Sequence, residues 1–138
     1  MSTKSKISEI KEMFFSFDDP MDKYVQIIEL GKKNLGLPDK EKNETNRIYG
    51  CASLAWVKVT KNGELFNIQI DSDTFIVKGL LSIIQYIVDG ANENEINNIN
   101  IESILVEIGL ENSITSQRTN GFLNAIDKIK EQVKQYNG

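Results

Sequence analysis

Residues 52–70 read ASLAWVKVTKNGELFNIQI. Ala52 to Val59 is rich in residues that suit a strand, and Asn62-Gly63 is a strong hairpin signal between two such runs. The second run alternates. Phe66, Ile68 and Ile70 face one way, while Asn67 and Gln69 face the other. The centre of the chain is therefore an antiparallel hairpin with one face packed and one face wetter. Arg47–Gly50 reads as a short further strand that leads into Cys51.

Helices are expected on both sides of this hairpin. Ile7, Ile10, Phe14 and Phe17 have helical spacing. Asp18-Asp19-Pro20 stops that helix and starts another, with Asp19 as cap and Pro20 in the first turn. Tyr24, Ile27, Ile28 and Gly31 share one face of the second helix, and Gly36 suits a left-handed terminator. The charged run Pro38–Arg47 (PDKEKNETNR) reads as a solvated connector. After the hairpin, Asp71-Ser72-Asp73 offers N-caps for a helix from about Thr74 to Val88. Phe75, Ile76, Leu80, Ile83, Ile84 and Ile87 form its apolar stripe. Gly90–Asn100 reads as a polar link. Asn100 caps a short helix, Ile101–Ile108, which Gly109 stops, and a last helix begins near Thr115 or Ser116. Gly121, inside that helix pattern, suggests close packing. The order predicts an α+β fold, a small antiparallel three-stranded sheet covered by helices, in a single domain spanning 1–138.

Composition narrows the function. The chain has 138 residues, with 20 acidic and 16 basic side chains and a formal net charge of −4. That balance argues against a general nucleic-acid binder. No apolar run approaches the ~20 residues needed to span a bilayer, and the first residues lack the apolar core of a signal peptide. A reducing, cytoplasmic location is the expectation, and a free thiol persists there. No P-loop, dinucleotide fingerprint or zinc spacing is present.

The chain has one cysteine, Cys51, and no histidine. It therefore lacks both a partner for an internal disulfide and the usual base of a cysteine hydrolase. If Cys51 acts, it acts as a single thiolate that accepts a group and hands it on. Gly50, Ala52 and Ser53 leave room around the sulfur. The competing reading is a small buried apolar side chain, the commoner role of a lone cysteine. Asp73 lies at a helix start, and a simple cap is enough to explain it. Arg118, in the first turn of the last helix, opposes the helix dipole. A guanidinium near Cys51 would favour its reactive thiolate. Trp56 reads as a strand-face packing residue.

The segment NRIYGCASLAW resembles the core signature of the SufE family of sulfur-acceptor proteins through Asn46, Gly50, Cys51, Ser53 and Trp56. DSDTFIVKGL is similar to its second signature at Asp71, Ser72, Asp73, Val77, Lys78, Gly79 and Leu80. ITSQRTNGF is similar to its third at Arg118, Asn120 and Gly121. Tyr24, Ile28, Glu29, Leu30 and Gly31 match an earlier region. Ala52 and Leu54 stand where the family usually has glutamine, and Ser116 and Gln117 replace a proline and a serine. These departures bear on partner affinity and loop conformation.

The resemblance implies a persulfide carrier. Cys51 would take sulfane sulfur from a SufS-type cysteine desulfurase and stimulate that enzyme. It would then pass the sulfur to an iron–sulfur scaffold, a SufB-containing complex. Gly50, Ser53, Asp73 and Arg118 would support it. The chain would need no cofactor or metal, since the pyridoxal phosphate belongs to the desulfurase, and no nucleic acid or membrane would be involved. Such a chain is a transfer partner rather than a stand-alone enzyme. The fold implied is shared with NifU-type scaffolds. A scaffold role itself fails on ligands, since a cluster needs about four, mostly thiolates. The remaining alternative is a non-catalytic interaction domain with an inert core cysteine.

Overall fold

The computed structural model describes residues 2–50 and 53–137. The hairpin consists of β1 (Ala55–Asn62) and β2 (Leu65–Ser72), paired from Ala55↔Ser72 to Asn62↔Leu65. Its two-residue turn is Gly63-Glu64, one residue later than a turn centred on Asn-Gly. Gly63 has a φ of +64° and is the only turn residue with positive φ. That pattern gives glycine the first central position of a II′ turn, whose twist matches the strands.

Alternation places the faces as expected. Ala55, Val57 and Val59 of β1 are buried with Phe66, Ile68 and Ile70 of β2. On the other face Trp56 is half-buried beneath the Lys42 ammonium, 5.8 Å from the ring centre. The third strand differs from the one expected. Arg47 makes only an isolated bridge to Trp56, and β3 (Ala91–Asn92) lies on the far side of β2, giving the order β1-β2-β3. Arg47–Gly50 meets β1 only around that bridge, while Gly90 lets the chain turn back onto β2 with a φ of +81°.

Helices cover the packed face. Among the described residues these are α1 (Thr3–Phe15), α2 (Pro20–Lys33), α3 (Phe75–Val88), α4 (Glu93–Asn97), α5 (Ile101–Glu107) and α6 (Ser116–Asn137). The buried apolar side chains of these helices and the sheet form one continuous cluster. Asp19 caps α2 by accepting the Met21 amide at 2.8 Å, with Pro20 behind it. Asn100 caps α5 in the same way. No helix among the described residues is long and apolar enough to cross a membrane.

Three expectations need correction. Phe75 is 52% exposed rather than part of the buried stripe, as the first residue of α3, at the open end of the helix. Gly90–Asn100 is not a plain link, since it holds β3 and α4. A capping box joins Asn92 and Glu95 there, a pair legible as Asn-x-x-Glu. The run 38–47 is more than a solvated connector. It holds a turn of 3₁₀ helix at Asp39–Glu41, buries Asn46, and pairs Glu41 with Lys58 at 3.0 Å.

Helices α2 and α3 cross at two glycines. A methyl group on Gly31 would run into the Phe75 carbonyl and come within 2.9 Å of the Gly79 nitrogen. One on Gly79 would run into the Ile27 carbonyl. The contact is backbone on backbone, so neither side can yield by a rotamer change.

Both edges of the sheet are partly closed by helix side chains. On β1, Ile48 N–H donates to Ala55 O and Val57 N–H to Asn46 O, each at 2.8 Å. Further along, buried Gln132 of α6 accepts from Val59 N–H at 2.8 Å and donates to Val57 O at 3.0 Å. Tyr136 Oη donates to Val59 O at 2.9 Å. On β2, Asp89 accepts from Ile68 N–H and Gln85 donates to Ile68 O, both at 2.8 Å.

Because the helix crossing leaves no space, Gly79→Ala is expected to destabilise the fold by about 3 kcal/mol. Urea unfolding would show this as a lower midpoint at unchanged slope, and a change below about 0.5 kcal/mol would contradict the crossing.

Candidate functional site: the 49–54 loop and its clamps

Residues 49–54 join two segments that are tied together by the Ile48–Ala55 hydrogen bond. Cys51 and Ala52 lie outside the described residues, so the site is defined by what holds their neighbours. On the upstream side Gly50 adopts a φ of +86°, a left-handed conformation that favours glycine. The Asn124 amide of α6 fills the space that a Cβ on Gly50 would need. Tyr49 is 58% exposed. The Arg47 guanidinium lies 5.0 Å from its ring centre, and its hydroxyl donates to Glu44. That carboxylate raises the Tyr49 phenol above its ordinary value.

The downstream side is clamped to the start of α3. Asp73 Oδ1 accepts from Leu54 N–H at 3.0 Å, and Asp73 N–H donates to Leu54 O at 3.1 Å. The Ser72 hydroxyl donates to the same carbonyl at 2.7 Å. Ser53 Oγ lies 2.8 Å from Thr74 Oγ1. Asp73 is therefore not the N-cap of α3. Thr74 holds that position, without a side-chain cap bond, because the Asp73 carboxylate is turned toward the loop. One residue therefore secures both polar groups of the Leu54 backbone, and the loop leaves β1 in a fixed direction.

Arg118 and Ser53 line one small cavity, of about 50 Å³, with walls from Val77, Leu80, Leu81 and Phe122. Gly121 also lines it and is buried. The Arg118 guanidinium is 5.6 Å from the centre of the Tyr24 ring on α2. This contact accounts for a cation in a helix turn whose dipole opposes it. Ser53 and Arg118 thus share one cavity and Asp73 holds the adjoining Leu54, while Gly50 is packed against Asn124.

Beside the clamp, Asp71 is 4% exposed and holds the chain before β1 in place. Its Oδ2 accepts from Leu37 N–H at 2.9 Å and its Oδ1 from Ser72 N–H at 2.8 Å. Lys42 and Lys78 lie 3.2 and 3.4 Å away. Burial alone would raise this carboxyl. The two amides and two ammonium groups outweigh it and hold the carboxyl below its ordinary value. The same contact, led by the hydrogen bond to Asp71, raises Lys42. The sequence offers Asp71 as a possible helix cap and as a match to the family signature, and neither points to a buried anion. Asn124 and Gln132 carry no sequence signal, since each is a polar residue in an ordinary amphipathic helix.

The family described as "SufE: Fe-S metabolism associated domain" matches residues 8–133. The chain belongs to the SufE family. A SufE-like protein of Rhizobium etli, itself uncharacterized, is 31% identical over 134 residues, covering 94% of this chain and 90% of that one. A second, also uncharacterized, from Rhizobium meliloti is 32% identical over 134 residues, covering 94% and 96%. A solution structure of a hypothetical protein from Thermus thermophilus shares the fold. Its TM-score is 0.77 at 18% identity, with 94% of each chain covered. Membership in the SufE family implies a role in iron–sulfur metabolism with a cysteine desulfurase as partner.

Asp71 gives this SufE chain a testable acid response. A depressed native pKa adds stability that is present above the unfolded value and lost as pH falls through the native one. Stability should therefore fall steeply below about pH 4, and Asp71→Asn should flatten that fall while costing about 3 kcal/mol at neutral pH. Urea unfolding at a series of pH values measures both. Parallel pH curves for the two proteins would exclude Asp71 as the titrating group.

Proposed function

We propose that this chain carries sulfur as a persulfide on Cys51, between a SufS-type cysteine desulfurase and an iron–sulfur assembly scaffold containing SufB. Family membership supplies the cargo. The observation that carries the reading to this loop is the double clamp on its flanks. Ser72, Asp73 and Thr74 hold Ser53 and Leu54, and Gly50 is seated against α6. Flanks held on both sides at fixed positions suit a loop that docks into a partner's active site.

The chemistry is thiol–persulfide exchange. The Cys51 thiolate attacks the outer sulfur of the desulfurase persulfide. A new S–S bond forms on Cys51, the partner's S–S bond breaks, and the partner's thiolate leaves with the electron pair. Nothing is oxidised or reduced overall, so this chain needs neither histidine nor cofactor for the step. An acceptor thiolate on the scaffold then repeats the exchange. Arg118, beside Ser53, offers a positive charge that favours anionic sulfur. The inert-core alternative fits the surroundings less well, since Tyr49 and Leu54 are 58% and 40% exposed.

Incubation with a cysteine desulfurase and cysteine should add one sulfur atom to the Cys51 peptide, read by mass spectrometry under non-reducing conditions. Desulfurase turnover should rise, and Cys51→Ser should abolish both effects. An unmodified Cys51 peptide with a turnover-competent cognate desulfurase would overturn the proposal.

A further inference from the structure

The chain has four places where an asparagine or aspartate precedes glycine, namely Asn62-Gly63, Asp89-Gly90, Asn120-Gly121 and Asn137-Gly138. Such pairs can cyclise, because glycine has no Cβ to hinder attack by its own amide nitrogen on the preceding side chain. The first three lie wholly among the described residues, and two of these are held. The Asp89 carboxylate accepts from Ile68 N–H at 2.8 Å, and Gly90 N–H donates to Phe66 O at 2.7 Å. Asn120-Gly121 lies inside α6, where Gly121 is buried and its amide belongs to the helix ladder. Ring closure there would require a turn of helix to unwind. Asn62-Gly63 differs on each count. Both residues are exposed, at the tip of the hairpin. Beyond its chain neighbours, nothing lies within 4 Å of the position a Gly63 Cβ would take. Among the described residues, neither the Asn62 carboxamide nor the Gly63 amide makes a hydrogen bond. The pair Asn62↔Leu65 is the last rung of the ladder, so the tip can flex without breaking the rungs behind it.

We propose that the fold opens Asn62, and not Asn120, to spontaneous deamidation. The Gly63 nitrogen gives up its proton to solvent and attacks Asn62 Cγ. A new C–N bond forms, the Cγ–Nδ2 bond breaks, and the side-chain nitrogen takes up a proton and leaves as ammonia. Water then opens the cyclic imide. Opening at the side-chain carbonyl gives aspartate, and opening at the main-chain carbonyl gives isoaspartate. Nothing is oxidised or reduced. The isoaspartyl product carries an extra methylene in the main chain, which a two-residue turn cannot absorb without shifting the Asn62↔Leu65 pair. The tip is separated from Ser53 and Leu54 by the length of β1, roughly 20 Å or more, so the change reaches the hairpin and not the clamps.

The test is ageing of the intact chain in mildly alkaline buffer at physiological temperature, with the Asn62 and Asn120 peptides followed by mass spectrometry. Asn62 should convert to a mixture of aspartate and isoaspartate at least about tenfold faster than Asn120, the factor expected when a helix bond must break first. In urea, where neither pair is held, the two rates should converge. Asn62→Gln must close a larger and less favoured ring, so it should keep its amide and unfold at the same urea midpoint as the parent. An Asn62 amide that survives as long as that of Asn120 in the folded chain overturns the proposal. An unchanged rate ratio in urea also overturns it, since local sequence rather than the fold would then set the difference. Neither result bears on sulfur transfer.

Discussion

The contact between Gly31 and Gly79 sets the position of everything around the loop. Two helices that meet backbone to backbone have few ways to slide, because a shift would bring a bulkier neighbouring residue into a gap that has no room for a Cβ. The crossing also lies at the start of α3, where Gly31 faces the Phe75 carbonyl. The residues just before Phe75 are Ser72, Asp73 and Thr74, which hold Ser53 and Leu54. The rigid part of the molecule is thus placed directly behind Ser53 and Leu54. Buried Asp71 extends the same support to Leu37 and Lys42, so the chain entering the hairpin is tied to the strand that leaves it.

This arrangement separates the signature residues by task. Gly31, Gly79, Asp71 and Lys78 serve architecture, through helix contact or a buried charge cluster. Asp73 and Ser53 direct the loop. Arg118 borders the cavity beside Ser53 and is steadied by Tyr24. A short motif around a cysteine therefore depends on residues in three helices, which is why its parts are scattered along the sequence.

Much of the fold was legible in the residues. Asp19-Pro20, Asn100 and Gly109 mark helix ends through local chemistry, and Phe66, Ile68 and Ile70 mark the packed face by alternation. These signals act within a few residues, so a single chain displays them. The misreadings share a physical cause. Ala91–Asn92 is a strand only because Phe66 accepts from Gly90 and then pairs with Ala91, a contact across more than twenty residues that no local pattern contains. Phe75 looks like core by composition and is exposed by its place at a helix end. At the candidate site, the sequence and the resemblance offer Ser53, Asp73 and Arg118, together with Cys51, which lies outside the described residues. The turning of Asp73 toward Leu54, rather than toward its own helix, could not be read from them, since the two alternatives use the same residue at the same position. Asn124 was invisible for a further reason, as its significance comes wholly from the glycine it touches.

The treatment of the sheet edges has a consequence for how partners are met. Gln132 and Tyr136 on one side, and Gln85 and Asp89 on the other, occupy backbone groups that an incoming strand would require. At these positions an extended peptide would have to displace bonds already made before it gained its own, so strand addition, a common way to recruit a protein segment, is disfavoured. Recognition is left to side chains on the helices and the loop, whose specificity changes one residue at a time. A carrier of the kind proposed, engaging two unlike partners in turn, would gain from that restriction. A continuous ladder of main-chain bonds would not form at these positions without first breaking the side-chain bonds already there.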